Sequence, residues 1–248
     1  MMKRYPGFII LAAAISLAVS GLLYFIHYII FQDVHHIFIY MVGDFAFLPL
    51  EVFLVVIVIE RILTHREKQA ILQKLNMVVG AFFSEMGTSL LGDLLGSFEN
   101  RDEICQHLAV TQNWTPSDFK QAKAFSLAIT GRVDYHKTDL EGLKTFLIQK
   151  RSFLLRLLEN PNLLEQEEFT DLLWATNHLS EELEARPTME NLPESDLEHL
   201  ASDIKRMYRH LASEWVSYIE HLKTKYPYLF SLVLRMHPFQ EHPSPVVT

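Results

Sequence analysis

The sequence predicts an all-α protein: a two-helix transmembrane hairpin continuing into a cytoplasmic helical bundle. Three observations predict it. Two long apolar runs stand near the N-terminus, separated by the five residues "QDVHH" at 32–36. From Glu60 onward, apolar residues recur at steps of three and four. No stretch of convincing length alternates apolar and polar residues as a half-buried strand would.

Residues 7–31 hold no Asp, Glu, Lys or Arg, and about 20 apolar residues suffice to cross ~30 Å of hydrocarbon. The basic start at Lys3 and Arg4, with "LAVSG" further on, also suits a secretory signal. The apolar run continues ten residues past Gly21, however, which is longer than a signal core. The reading is therefore an uncleaved span over about 7–31. Residues 37–59 form the second span, and so short a connection makes the two helices antiparallel neighbours. Lys3 and Arg4 precede the first span; Arg61, Arg66, Lys68 and Lys74 follow the second; the loop carries neither Lys nor Arg. The positive-inside rule then places both termini in the cytoplasm. The expected location is a prokaryotic cytoplasmic membrane, with the lipid bilayer as a partner.

The second span carries the sharpest clue. "YMVGDFAFLPLEVFLVVIVIERI", residues 40–62, contains Asp44 and Glu51 with Pro49 between them. Seven residues is nearly two helical turns, so the carboxylates share a face about 10 Å apart along the axis. An ionised carboxylate in hydrocarbon costs several kcal/mol, so such groups face protein or water, or stay protonated. A two-helix hairpin has little interior, which makes self-association the cheapest escape. His27 on the first span lies at a depth comparable to Asp44 and is a candidate partner. Pro49 removes an amide donor and frees the carbonyl of Phe45. Three readings stay open: Glu51 as a hydrogen-bonding joint between copies, an axial cation or proton path lined by both acids, or a different partner protein supplying a base or metal ligands. The arrangement is similar to the pore of the mitochondrial calcium uniporter, a two-span hairpin with acidic rings on its second helix. There the acids stand one turn apart; here they stand seven residues apart, and no role is carried over.

The domain plan follows. Residues 1–64 are the hairpin, 65–98 a helical stalk, 99–236 the cytoplasmic all-α domain, and 237–248 a disordered, proline-rich tail. Gly80, Gly87, Gly92 and Gly96 stand inside the stalk pattern. Each costs about 1 kcal/mol relative to alanine in a helix, so close approach of another backbone is the expected compensation, with a bent or broken helix at these points as the alternative. In the bundle, "TPSD" at Thr115, "TDLE" at Thr138 and "SDLE" at Ser195 read as helix-opening caps. Trp114 and Trp174 are the expected core anchors.

Composition limits the chemistry. Residues 65–248 hold nineteen Lys and Arg against twenty-six Asp and Glu, so nucleic acid is not an expected partner. One cysteine, Cys105, cannot form an internal disulfide. No glycine-rich nucleotide loop, nucleophile elbow or paired CxxC occurs. The pairs Asp196/His199 and His178/Glu181 read as solvated helix faces. The set lacks the paired ExxH of di-metal bundles. No catalytic residue, metal or cofactor is expected.

The segments "GDFAFLPLEV" and "YPYLFSLVLRMHPF" resemble signatures of uncharacterised prokaryotic two-span membrane proteins with a helical cytoplasmic domain. That resemblance implies topology and no activity. The expectation is a non-enzymatic, membrane-anchored homo-oligomeric assembly or scaffold protein, whose helical domain binds itself or an unidentified cytoplasmic protein. The alternative is an oligomeric cation- or proton-conducting pore with Asp44 and Glu51 facing the axis.

Overall fold

The computed structural model describes residues 6–161, 163, 166–240 and 242–246, and the side chains of these except 6–9 and 67–74. The described residues form α-helices and no strand; one isolated antiparallel bridge joins Phe98 and Val133. The chain divides into two compact units, residues 1–68 and 69–248, and each is described by itself.

In the first unit, α1 spans Pro6–Phe31 and α2 begins at Val34, running to Phe82. The connection is two residues, not five. Gln32 takes a left-handed φ of 49°, and Asp33 Oδ1 accepts the amide of His36 at 3.2 Å. Asp33 thereby caps the first turn of α2 and draws Val34, His35 and His36 into the helix. The large apolar residues of both helices are exposed, from Ile10 to Leu63. By length and composition, Ile10–Phe31, Val34–Arg66 and Leu75–Leu95 could each cross a membrane. The third is half buried inside the second unit, where Leu75, Val79, Phe82, Met86, Leu90, Leu91 and Leu94 are core residues.

The second unit is built around one long helix. After α2 come a π-helical turn at Phe83–Gly87 and α3 at Thr88–Leu95. Then follow α4 (Arg101–Leu108), α5 (Pro116–Leu127), α6 (Leu140–Leu158), α7 (Glu167–Ala185), α8 (Glu194–Lys225) and α9 (Pro227–Met236). The 32-residue α8 packs against α3, α5, α7 and α9. Its buried stripe at Leu200, Ile204, Met207, Tyr208, Leu211, Trp215, Ile219 and Leu222 follows the three-and-four spacing that makes one helix face apolar. Tyr208 donates its hydroxyl to the carbonyl of Leu91 at 3.3 Å, so burial of its ring leaves no unpaired O–H.

Helix continuity past the second span ends earlier than the sequence suggests, because α3 stops at Leu95 and Phe98 leaves the helix to pair with Val133. Ser97 accepts from the amide of Asp134 at 2.7 Å, and the amide of Glu99 donates to Arg132 at 3.1 Å. The Phe98 ring packs on Tyr208, centroids 4.5 Å apart. Among the described residues, no other backbone is among the nearest neighbours within 4 Å of a Cβ built on any of the four glycines. A Cβ on Gly80 would lie 3.3 Å from the Tyr218 hydroxyl, and one on Gly92 only 3.6 Å from the Pro238 side chain; Gly96 has nothing within 4 Å. Gly87 makes room for aromatic rings: a Cβ there would stand 2.6 Å from Phe83 and 2.8 Å from Phe82.

The caps divide. Thr115 and Asp118 form the reciprocal capping box of α5. At α6 the cap moves one residue, because Asp139 Oδ1 accepts the amide of Gly142 at 2.8 Å while Thr138 Oγ1 donates to the carbonyl of Asp134. Gly142 permits this: a Cβ there would lie 2.2 Å from the carboxylate. At α8, Ser195 is already inside the first turn and no side chain caps the helix. Trp174 is 57% exposed, and the buried tryptophan is Trp215. The segment read as a disordered tail also begins in the core. His237 and Phe239 are buried, and the Phe239 ring meets Trp215 edge-on at 5.0 Å.

Candidate functional site

In the first unit the positions singled out by sequence lie on two exposed helices. Asp44 and Glu51 are exposed on α2, and no described residue of the chain supplies either with a hydrogen bond or ion pair. Pro49 lies within α2 between them, so the helix runs through it and the amide that Phe45 would have received is missing. His27 is partly covered, with its ring 4.7 Å from Phe31, and its Nδ1 has no hydrogen-bond partner. Asp44 is not brought to it by any recorded bond. Ser16, Ser20, Tyr24 and His27 line a groove of about 610 Å³ along α1. Their spacing of three and four puts these polar groups on one face of an otherwise apolar helix.

The second unit holds a charged cluster that residue spacing alone misassigned. His178, Glu182 and Arg186 stand a turn apart on α7; Asp196, His199 and Asp203 stand likewise on α8. Packing of α7 on α8 brings the two rows together. His178 and His199 place Nε2 at 3.5 and 3.4 Å from Asp203 Oδ2, and at 4.0 and 3.7 Å from Glu182. Arg186 meets Glu182 at 2.9 Å and Asp196 at 2.6 Å. Arg206 lies 3.1 Å from Asp203 Oδ1. Glu181, one turn from His178 and read with it as a solvated face, accepts from Asn177 at 3.0 Å. The Arg186 hydrogen bonds hold the Glu182 and Asp196 carboxyls below the usual carboxylate range. Among the described residues no group of three or more His, Cys, Asp or Glu is arranged to hold a metal ion. The cluster is an ion-pair network between two helices. The i,i+4 spacings His178/Glu182 and His199/Asp203 were its sequence signal; that the two rows face each other is a tertiary fact.

A second buried acid escaped the sequence reading altogether. Glu214 is 2% exposed on α8. Gln166 Nε2 donates to its Oε1 at 3.4 Å, and its Oε2 has no hydrogen-bond partner. Burial, with a smaller push from Glu168, raises its pKa to about 7. At the other end of the core, burial lowers the His237 imidazole to about 4.

Comparison with known proteins assigns the chain at both ends. A family model described as the N-terminal helical domain of MJ1433 matches residues 3–63, and one described as its C-terminal helical domain matches residues 71–235. The protein of Methanocaldococcus jannaschii named "Uncharacterized protein MJ1433" is 44% identical over 238 residues, covering 96% of this chain and 94% of that protein. No solved structure matches. The resemblance to a prokaryotic family carried by the signatures near Asp44 and Tyr226 is met by this match. With one helical part matched on each side and nearly full coverage of both chains, the protein belongs to the MJ1433 family.

Proposed function

We propose that the protein is a non-enzymatic, membrane-anchored assembly protein. Copies of the chain associate within the bilayer through α2, both termini lie in the cytoplasm, and the second unit is an interaction domain. One observation carries this reading: Asp44 and Glu51 are exposed on a helix apolar enough to span a membrane and have no partner among the described residues. Hydrocarbon around a carboxylate is costly, and contact with a second copy removes both groups from lipid at once. The polar stripe of α1 from Ser16 to His27 offers a complementary surface, since small and hydroxylated residues favour helix association in membranes. Subunit counting of the full chain in nanodiscs tests it. The parent protein should be oligomeric and Glu51→Leu should dissociate it. A monomeric parent, or an unchanged oligomer in Glu51→Leu, would overturn the reading.

A second reading is favoured by Pro49, which interrupts the helix hydrogen bonding between the two acids. A freed carbonyl flanked by two carboxylates suits a wet cation or proton path along the oligomer axis. Proteoliposome flux that is present in the parent and altered by Glu51→Gln or Asp44→Asn, with the oligomer intact, would select it.

A further inference from the structure

The outer face of α9 is apolar and no described residue covers it. Phe230 points into the core at 5% exposure, while Tyr228, Leu229, Leu232 and Met236 are 72, 39, 46 and 43% exposed. At 100° per residue these four fall within about one third of the helix circumference, with Arg235 at its margin and Phe230 opposite. The helix is therefore apolar on both sides, and one side lacks a covering element.

Within the second unit, α9 lies at the end where the chain enters. The C-terminal half of α8 runs antiparallel to the end of α2. Tyr218 stacks on Phe83 with ring centroids 5.3 Å apart and covers Gly80, and His221 Nδ1 lies 3.2 Å from Asn76 Nδ2. Later residues of α8 thus meet earlier residues of α2. Lys225 and α9 follow at the end where the chain enters the unit. Nine residues, 67–75, separate that entry from Val34–Arg66, the segment apolar enough to cross a membrane; even fully extended they reach only about 30 Å. Met77, beside the entry, is itself 66% exposed.

Charge agrees with a lipid surface. From His221 to Met236 the sequence has no acid; Lys223 turns inward onto the carbonyls of Gln112 and Trp114, which leaves Lys225 and Arg235 as the cations beside the face. Tyr226 and Tyr228, 40 and 72% exposed, are the aromatic type that settles at headgroup depth. An apolar helix face edged by cations and tyrosines is the composition of an interfacial helix.

We propose that the outer face of α9 lies in the headgroup layer of an anionic bilayer, the same bilayer that holds α1 and the first half of α2. This rests on the membrane reading of those two helices. It would make α9 a second, reversible attachment that orients the helical unit on the membrane surface.

Full-length protein carrying Cys105→Ser and Leu232→Cys, labelled with an environment-sensitive fluorophore, tests this in nanodiscs of anionic and of zwitterionic lipid. The expected result is blue-shifted emission quenched by brominated lipid, stronger with anionic lipid. The same label at Ile148 of α6, also exposed, should be quenched less. Lys225→Glu with Arg235→Glu should weaken quenching at position 232, with helix content unchanged by circular dichroism. Absence of lipid quenching at 232, or equal quenching at 148, overturns the proposal. So does a label shielded from water but not quenched by lipid that becomes exposed on dilution into empty nanodiscs, which identifies a second copy as the cover. Subunit number is read on the same samples. Quenched and monomeric protein supports the α9 contact and removes the assembly reading; oligomeric and unquenched protein does the reverse.

Discussion

Arg186 joins the last turn of α7 to the first turn of α8 by holding Asp196 with two nitrogens, Nε at 2.8 Å and Nη2 at 2.6 Å. The same guanidinium bonds Glu182 at 2.9 Å. The loop between the helices is thereby closed by one side chain. Arg186→Ala opens that closure, and Arg186→Lys should not restore it, because an ammonium cannot reproduce the planar fork. Both variants should lower thermal stability by about 1 kcal/mol, a value kept small because the carboxylates are partly solvated.

The pH dependence of that deficit follows from the sign of the shifts. The Arg186 hydrogen bonds depress Glu182 and Asp196 in the folded state. Their contribution is present above the unfolded carboxylate range and is lost as pH falls through the folded values. The stability gap between parent and Arg186→Ala should therefore persist at neutral pH and close in acid. Urea titrations at several pH values measure it.

Glu214 should act in the opposite sense. Burial raises it to about 7 in the folded state, so the unfolded chain releases its proton first as pH rises. Stability should fall between the ordinary carboxylate range and about pH 7 and level off above that. Glu214→Gln keeps the shape and abolishes the charge. It should match the parent in acid and exceed it at pH 8, by an amount on the order of 3 kcal/mol at most.

His237 tests the attachment of the C-terminal segment. Burial holds it at about 4, so folding excludes its proton and stability from this group is lost as pH falls from the ordinary imidazole range toward that value. The Phe239 contact on Trp215 should loosen with it. Acrylamide quenching of tryptophan fluorescence in a Trp174→Phe background should rise between pH 6.5 and 4 in the parent. It should rise less in His237→Leu.

Two glycines of one helical run should respond with opposite signs. Gly87→Ala forces a Cβ to 2.6 Å from the Phe83 ring and should destabilise by about 1–3 kcal/mol. Gly96 is open and has a helical φ of −65°, so Gly96→Ala should be neutral or stabilise by up to about 1 kcal/mol. Thermal melts of the two variants decide it.

These particulars show where sequence reasoning reaches and where it stops. Helical class and the Thr115 cap are local, written in spacing and in one tetrapeptide. The shift of the α6 cap from Thr138 to Asp139 needed Gly142 to be weighed as a permissive neighbour. Asp196 was read as part of a cap at Ser195, but the Arg186 guanidinium ten residues earlier takes its carboxylate. Trp174 and Trp215 both sit in helices with apolar neighbours; which one enters the core depends on the width of the surface that α8 presents. His237 and Phe239 flank Pro238 in a segment without helical periodicity, so their burial could not be read from local pattern. The spacing of Asp44 and Glu51 was fully legible, since it depends on one helix alone.

The stacking of Tyr218 on Phe83 and its cover over Gly80 gear α2 to α8. With a side chain at position 80 the ring would be held off; with none, it lies in the groove of the helix as a key lies in a slot. Seated in that way, Tyr218 fixes the end of α2 in register with α8.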